Sequence, residues 1–154
     1  MIHSSTGNLL LAQAEALVNP VNTQGVMGKG LALQFKHAYP TMYASYAQAC
    51  RNGELDIGRL HRFELDAAAM PRWILNVPTK RHWRSRSRLE DVVAGVRALA
   101  ATARELELGS LAIPPLGCGL GGLRWPQVRP YIVAAFEDWP GIEVQLFEPA
   151  RDGD

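Results

Sequence analysis

The sequence predicts a single domain of the α/β class, in which helices cover a central sheet. Short apolar runs rich in Val, Ile and Leu alternate with longer segments of helical periodicity, which is the pattern of a layered α/β fold. The chain has 154 residues, of which 47% are hydrophobic, and this is enough to fill one substantial core. We assign residues 1–150 to the domain and residues 151–154 to a polar tail, which suits a natural terminus and a cut end equally well.

The first half of the chain predicts a strand, a glycine-rich loop and two helices, in that order. A buried strand covers residues 16–21, and the loop follows it. A first helix begins at Lys29. Pro40 begins a second helix, because proline is well tolerated in the first helical turn, and Asn52 and Gly53 end it.

The second half continues the alternation and supplies the remaining strands of the sheet. The hydrophobic pattern predicts strands at residues 60–65, 73–77, 111–113 and 142–147 and helices at residues 89–108 and 126–136. The helix at 89–108 is the longest. Gly109 is its predicted C-cap, since glycine readily adopts the left-handed conformation that commonly ends a helix.

Charge and cysteine content exclude several classes of protein. Lys and Arg total 16 and Asp and Glu total 15, so the net charge of +1 does not by itself indicate a polyanionic partner. Five cations nevertheless fall within residues 80–88 without an acid among them. Cys50 and Cys118 lie far apart with no metal-ligand spacing, and neither an apolar leader nor a membrane-length run is present. We expect a reduced, cytoplasmic protein without a disulfide, a metal, a resident cofactor or a membrane segment.

Two glycine-dense loops carry the strongest indication of a binding site. NTQGVMGKG spans residues 22–30 and PLGCGLGG spans residues 115–122, and each loop follows a predicted strand and precedes a helix. Glycine lets successive backbone N–H groups face a ligand, and the helix that follows adds positive potential, so the pair of loops suits a diphosphate. Neither loop matches the Walker or the dinucleotide-binding fingerprint. The alternative is that these glycines only form tight turns.

The order of these segments resembles the macrodomain family over nearly the whole chain. The resemblance rests on TGNLL at residues 6–10, VNPVN at residues 18–22 and the two glycine loops. NTQGVMGKGLALQFK, VPTKRHW and PPLGCGLGGLRW are most similar to the DarG family of DNA ADP-ribosyl glycohydrolases, and less similar to the human-type terminal ADP-ribose protein glycohydrolases. The resemblance implies an α/β/α sandwich with a central mixed sheet and a cleft for ADP-ribose at the strand ends.

The resemblance also implies which residues bind ADP-ribose. The two glycine loops hold the pyrophosphate in this family, and the segment around Asn8 lies near the adenine. The predicted ADP-ribose-binding residues are Gly7, Asn8, Asn22, Gly25, Val26, Met27, Gly28, Gly30, Pro115, Gly117, Cys118, Gly119, Leu120, Gly121 and Gly122. Asn8 departs from the family, since most macrodomains carry Asp there, and an amide both donates and accepts hydrogen bonds. Cys118 has no base nearby in sequence, so we interpret it as a small packing residue rather than a nucleophile.

Lys80 is the predicted nucleophile. By resemblance to the glycohydrolases, this lysine attacks the anomeric carbon of the distal ribose and forms a covalent lysyl intermediate. An amine attacks only when it is unprotonated, and the neighbouring cations Arg81 and Arg84, together with partial burial, are expected to lower the pKa of Lys80. The residues alone also fit a solvated surface lysine, which is common in a basic run.

Asn22 and His82 are the other candidate catalytic residues. The resemblance implies that Asn22 orients the distal ribose, although an asparagine after Pro20 also forms an Asx turn. The human-type enzymes carry, at the position of Gly121, an acid that resolves the lysyl intermediate, and this chain does not. We consider His82 as the water-activating base, because side chains two apart on an extended segment face the same side and would place it beside Lys80. A plain surface histidine is the alternative.

The basic run favours DNA as the modified target. Trp83 stands among cations, and a mixture of arginine and aromatic side chains suits a nucleic-acid strand through phosphate contacts and base stacking. The predicted DNA-binding residues are Arg81, Trp83, Arg84 and Arg86. A solvated arginine face, with Trp83 packed on the core, fits the same pattern.

The resemblance then implies removal of ADP-ribose from thymine bases of single-stranded DNA. The protein would act as an antitoxin, and its cognate toxin would bind a C-terminal region that is absent here. Two other activities fit the sequence. One is removal of ADP-ribose from glutamate on proteins, which uses the same lysine and is weakened by the missing acid at Gly121. The other is a non-catalytic ADP-ribose-binding module, which would not need Lys80.

Overall fold

The structure, a computed structural model, describes residues 1–149, so the predicted tail at 151–154 lies outside the described residues. Its strands are β1 (Ile2–Ser5), β2 (Ala16–Asn22), β3 (His61–Glu64), β4 (Trp73–Lys80), β5 (Ser110–Ile113) and β6 (Glu143–Phe147). Its α-helices are α1 (Gly30–Ala38), α2 (Pro40–Arg51), α3 (Leu89–Glu105) and α4 (Trp125–Phe136). Within these residues, no helix is long and apolar enough to cross a membrane.

The strands form one mixed sheet between two layers of helices. The order is β1-β6-β5-β2-β4-β3, and β3 runs antiparallel to its neighbour β4, whereas the other pairs of neighbours are parallel. Apolar side chains of α3 and α4 pack on one face of the sheet, and those of α1 and α2 pack on the other. Both faces are therefore buried, as a largely parallel sheet requires. The predicted α/β/α sandwich with a central mixed sheet is confirmed.

The central strands β2 and β4 run further than the apolar pattern predicted. The apolar pattern predicts that β4 ends at Val77, and the residue that follows, Pro78, cannot donate a hydrogen bond to a neighbouring strand. In the structure β4 continues to Lys80 and pairs with β2 through an irregular register, in which Val21 lies opposite Pro78 and Asn22 lies opposite Lys80. The bulge accommodates the proline and brings the two predicted catalytic residues to adjacent strand ends.

The predicted C-cap of α3 at Gly109 is wrong. The helix ends at Glu105, and Glu107 adopts the left-handed conformation with φ 54°. The N–H of Leu108 donates to the carbonyl of Ala103 at 3.0 Å, and the N–H of Glu107 donates to the carbonyl of Arg104 at 3.1 Å. These two bonds form a Schellman motif, which closes the helix before the glycine is reached.

We expect Glu107→Gly to stabilise the protein. A side chain in the left-handed region costs about 1 kcal/mol relative to glycine, and glycine would keep both bonds of the Schellman motif. The melting temperature should rise by about 2–4 °C in calorimetry. Glu105→Gly is the control, because the same replacement inside the helix should lower it. A decrease for Glu107→Gly would show that the Glu107 side chain stabilises the fold by more than its backbone conformation costs.

Candidate active site

A cleft of about 740 Å³ opens at the carboxyl ends of β2, β4 and β5. Its volume lies within the range of about 300–1,000 Å³ that is usual for small-molecule sites, and this edge of an α/β sheet is where ligands generally bind. Thirteen of the predicted site residues line the cleft: Asn22, Val26, Gly28, Gly30, Lys80, Trp83, Arg84, Pro115, Gly117, Cys118, Gly119, Leu120 and Gly121. The fold thus brings both glycine loops, the predicted nucleophile and part of the basic run to one site.

The Asn22 side chain organises the first glycine loop. Its Oδ1 accepts hydrogen bonds from the backbone N–H groups of Gln24 at 2.9 Å and Val26 at 3.3 Å, and its Nδ2 donates to the carbonyl of Val26 at 2.7 Å. The buried hydroxyl of Tyr46 donates to both the carbonyl of Asn22 at 2.7 Å and its Oδ1 at 3.1 Å. The Asx turn is therefore present, and one N–H of the carboxamide is left to donate to a ligand in the cleft.

The first loop leads directly into the N-terminus of α1. Gly30, Leu31 and Ala32 line the cleft. The helical hydrogen bonds begin with the N–H of Leu33, which donates to the carbonyl of Lys29. The N–H groups of the first turn of a helix lack partners within the helix and carry the positive end of its dipole. This end of α1 suits an anion in the cleft.

The second glycine loop forms a short 3₁₀ turn over residues 119–121. Gly117 and Gly119 have φ of 77° and 64°, so the path of the loop depends on glycine at both positions. The Leu120 side chain is 64% exposed, and its Cδ1 would lie 3.3 Å from a Cβ built on Gly30. Leu120 therefore reaches across the cleft to the first loop, so the two loops enclose the space between them.

Lys80 lies half-buried between the loops, and its Nζ donates to the carbonyl of Leu120 at 3.3 Å. Burial lowers the pKa of Lys80 below that of an ordinary lysine, and the positive charge of Lys29 lowers it further. The predicted lowering of the Lys80 pKa is therefore confirmed, but the cation that contributes to it is Lys29 rather than Arg81 or Arg84. A lowered pKa increases the fraction of uncharged, nucleophilic amine at neutral pH.

We expect Lys29→Gln to shift the pH dependence of any reaction in which the Lys80 amine acts as the nucleophile. Removing the Lys29 charge raises the pKa of Lys80, so the alkaline rise in kcat, which follows the neutral amine, should move to higher pH. At pH 8, kcat should fall by less than about tenfold. At high pH, where the amine is neutral in both proteins, the difference from wild type should disappear. Lys36→Gln is the control, because it removes one positive charge from a residue of α1 that does not line the cleft. A profile of Lys29→Gln identical to that of the control would show that Lys29 does not influence Lys80.

The basic run forms a turn whose cations point in different directions. Arg81 makes a two-point ion pair with the buried carboxylate of Asp91, at 3.1 and 3.2 Å. The guanidinium of Arg84 lies over the Trp83 ring, 4.4 Å from its centroid. The Arg86 side chain lies beside Gly122, where its Cδ would be 3.6 Å from a Cβ built on the glycine. Trp83 and Arg84 line the cleft, and Trp83 is 40% exposed rather than packed on the core.

His82 does not line the cleft, which corrects the predicted placement beside Lys80. The prediction required an extended segment, but β4 ends at Lys80 and residues 82–85 form a turn. The Nδ1 of His82 accepts a hydrogen bond from the N–H of Arg84 at 3.0 Å, and its ring stacks on Trp83. The imidazole is therefore engaged within the turn and is not positioned to activate a water molecule in the cleft.

Several predicted ADP-ribose-binding residues also lie outside the wall of the cleft. The side chain of Met27 is buried in the core beneath the first loop, and the carbonyl of Gly25 accepts a hydrogen bond from Tyr43. Asn8 caps the short 3₁₀ helix at 9–11, where its Oδ1 accepts from the N–H of Leu10. Gly7 and Asn8 follow β1 at the edge of the sheet. Their contacts with a ligand stay predictions.

The structure adds residues that sequence reasoning missed. Lys29, Thr79 and Ser87 line the cleft. Lys29 stands inside the first glycine motif, where its charge was a usable signal, whereas nothing in the sequence distinguishes Ser87 from the other small residues of the basic run. Burial raises the pKa of the Cys118 thiol to about 11, which supports a packing role. The described residues contain no cluster of side chains that could hold a metal ion.

Comparison with known proteins identifies the family. The Macro domain family model matches residues 18–132, and the chain belongs to the macrodomain family. The chain is 49% identical over 152 residues to the DNA ADP-ribosyl glycohydrolase of Thermus aquaticus, covering 99% of this chain and 42% of that protein. It is 45% identical over 150 residues to the protein of the same name from Mycobacterium tuberculosis, covering 97% and 43% respectively. The chain thus spans less than half the length of these curated relatives.

Solved structures give the same result at the level of the fold. The macrodomain of Thermus aquaticus DarG matches with a TM-score of 0.94 and 50% identity, covering 97% of this chain and 99% of that one. Thermosipho africanus DarTG in complex with ADP-ribose matches with a TM-score of 0.85 and 32% identity, covering 97% and 43%. The predicted resemblance to DarG macrodomains is confirmed.

Proposed function

We propose that this chain binds ADP-ribose and removes it from thymine bases of single-stranded DNA, opposing a toxin that attaches it. The observation that carries the proposal is the position of Lys80, whose amine has a lowered pKa and lies between the two glycine loops, opposite Asn22 and beside an exposed tryptophan. The relatives named DNA ADP-ribosyl glycohydrolase support the same activity.

The loops suit the pyrophosphate of ADP-ribose. The N-terminus of α1 faces the cleft from one side, and the turn at 119–121 faces it from the other. Among the loop hydrogen bonds of the described residues, none begins at the N–H of Gly119 or Leu120. Free N–H groups at glycines are good ligands for phosphate oxygens, and a positive helix end strengthens their effect. With the pyrophosphate held there, the distal ribose would extend toward Asn22 and Lys80.

Lys80 would perform the bond cleavage. Its neutral amine attacks the anomeric carbon of the distal ribose while the bond from that carbon to the thymine nitrogen breaks. The electron pair of this bond remains on the base, whose imide nitrogen carries negative charge better than an unactivated amide. The free N–H of Asn22 would donate to a ribose hydroxyl and orient the sugar for this attack.

Trp83 and Arg84 would bind the DNA strand at the entrance of the cleft. Both residues line the cleft beside Lys80, and together they present an aromatic face and a cation. Bases of single-stranded DNA stack on aromatic side chains, and phosphates pair with arginine. The cognate toxin would bind the region that the longer relatives have in addition to this chain.

Release of ADP-ribose from an oligonucleotide with one ADP-ribosylated thymine tests this proposal. The wild-type protein should release ADP-ribose and restore the unmodified oligonucleotide. It should act slowly or not at all on a protein carrying ADP-ribosylated glutamate. Release only from the protein would identify the glutamate-directed enzyme instead, and binding of ADP-ribose without release from either substrate would identify a non-catalytic binding module.

Replacing Trp83 with Ala should weaken DNA binding selectively. We expect the KM for the modified oligonucleotide to rise about tenfold or more, since base stacking contributes about 1–3 kcal/mol per base, while the Kd for free ADP-ribose changes little. Arg97→Ala on the outer side of α3 is a control that removes an exposed side chain away from the cleft. Equal effects of Trp83→Ala on both ligands would show that Trp83 contacts ADP-ribose rather than DNA.

A further inference from the structure

The loop between β4 and α3 carries a buried hydroxyl that no described group satisfies. Ser87 is 6% exposed, and its Oγ has no hydrogen-bond partner among the described residues. Such a hydroxyl has lost its hydrogen bonds to water without replacing them, and native proteins retain few groups of this kind. Because Ser87 also lines the cleft, a partner that enters the cleft would explain why the hydroxyl is retained.

Ser87 lies next to Lys80, under the turn of the second glycine loop. Its backbone N–H donates to the carbonyl of Gly121 at 2.9 Å, and Lys80 Nζ donates to the adjacent carbonyl of Leu120. A Cβ built on Gly121 would lie 2.5 Å from Ser87 Oγ and 3.9 Å from Lys80 Cε. The hydroxyl therefore fills the space that a side chain at residue 121 would need, and the Lys80 side chain lies at the edge of the same space.

The turn that covers the hydroxyl is short, and the carbonyls of Leu120 and Gly121 anchor it to Lys80 and Ser87. Its closing hydrogen bonds are those of the Gly121 N–H to the carbonyl of Cys118 at 3.3 Å and of the Gly122 N–H to the carbonyl of Gly119 at 3.1 Å. Its central side chain, Leu120, is largely exposed. Contact between this hydroxyl and a ligand in the cleft requires a small shift of the turn or a rotation of the Ser87 side chain.

The described residues that line the cleft include no carboxylate and no imidazole. Their side-chain oxygens belong to Asn22, Thr79 and Ser87. Asn22 Oδ1 already accepts three hydrogen bonds within the first loop, and only the oxygen of Ser87 is both enclosed and unpaired. A hydroxyl can accept a hydrogen bond from a water molecule and fix the direction of its oxygen.

We propose that Ser87 positions the water that hydrolyses the lysyl intermediate, an inference that rests on the proposed function. The hydroxyl accepts a hydrogen bond from this water and holds its oxygen beside the anomeric carbon bonded to Lys80 Nζ. The water oxygen bonds to that carbon while the carbon–nitrogen bond breaks. The electron pair of the broken bond stays on Nζ, which takes the proton that the water loses. Free ADP-ribose and the original amine result.

Ser87→Ala distinguishes this role from a structural one. The melting temperature of the free protein should stay the same or rise, because the deleted hydroxyl has no partner. The first turnover should release the oligonucleotide at the wild-type rate and leave one ADP-ribosyl group on the enzyme, detected by intact mass. We expect kcat to fall at least tenfold while the Kd for ADP-ribose stays within twofold. Ser87→Cys keeps a side chain of similar shape but replaces the hydroxyl with a larger and much weaker hydrogen-bond acceptor, and should behave in the same way.

Ser85→Ala is the matched control. Ser85 lies on the same loop but does not line the cleft, and its hydroxyl donates to the carbonyl of His82 at 2.8 Å. This variant should keep the wild-type kcat and accumulate no adduct. The inference is overturned if Ser87→Ala turns over at the wild-type rate, if it loses the first step as well, or if both Ser87 variants lower the melting temperature in proportion to activity. If the wild-type protein removes no ADP-ribose from the modified oligonucleotide, the proposed function is overturned and the inference with it.

Discussion

Lys80→Ala should lower release of ADP-ribose from the modified oligonucleotide by about 10³-fold or more, because loss of a nucleophile removes the covalent route altogether. The same variant should bind ADP-ribose with an affinity within about threefold of wild type, since on the proposed function backbone N–H groups rather than the lysine would hold the pyrophosphate. Isothermal titration calorimetry and the oligonucleotide assay measure the two quantities separately.

Lys80→Arg provides the matched control for charge. The guanidinium keeps the positive charge beside the Leu120 carbonyl, but its pKa is too high for it to act as a nucleophile. We expect this variant to be as inactive as Lys80→Ala. If the arginine variant retained activity, Lys80 would act through its charge rather than by attack. A large loss of ADP-ribose affinity in the alanine variant would show that the lysine, and not the loop backbone, dominates ligand binding.

Gly117→Ala should be strongly destabilising. Gly117 has φ 77°, and a Cβ there would lie 2.7 Å from Val92 Cγ2 and 2.8 Å from Leu123 Cδ1. The substitution combines a left-handed backbone with two collisions against apolar side chains that pack in or against the core, so the free energy of unfolding should fall by about 3 kcal/mol. For a domain of this size, the melting temperature should fall by about 6–12 °C. The affinity for ADP-ribose should weaken as well, because the second loop is displaced.

Gly119→Ala isolates the collision from the backbone effect. Gly119 has φ 64° in the same loop, but a Cβ there meets nothing within 4 Å. This substitution should therefore lower the free energy of unfolding only by the cost of a left-handed backbone at alanine, about 1 kcal/mol. Urea denaturation measures this difference. Equal losses at the two positions would show that the side chains around Gly117 move aside, and that the left-handed conformation alone accounts for the effect.

The parts of the site that depend on the local sequence pattern could be predicted. Alternating apolar segments predicted the layered fold, and the spacing of glycines after strands predicted both loops, which line the cleft together. Resemblance to a family predicted Lys80 and Asn22, and the bulge between β2 and β4 places them opposite each other. The end of β4 was not predictable, because Pro78 is tolerated only through pairing with a distant strand. His82 was misplaced for a different reason, because the chain turns immediately after Lys80 instead of staying extended.

The sequence by itself determined the fold class, the family and the residues that meet at the carboxyl ends of the strands. Only the tertiary structure decided the electrostatics of the site. Arg81, a neighbour of Lys80 in sequence, pairs with Asp91. Burial lowers the pKa of Lys80, and the charge of Lys29, far away in sequence, lowers it further. Only the structure shows that Ser87 lies under Gly121 with its hydroxyl unpaired. Periodicity and glycine spacing report the local backbone, but the approach of charges and hydroxyl groups depends on how distant segments pack.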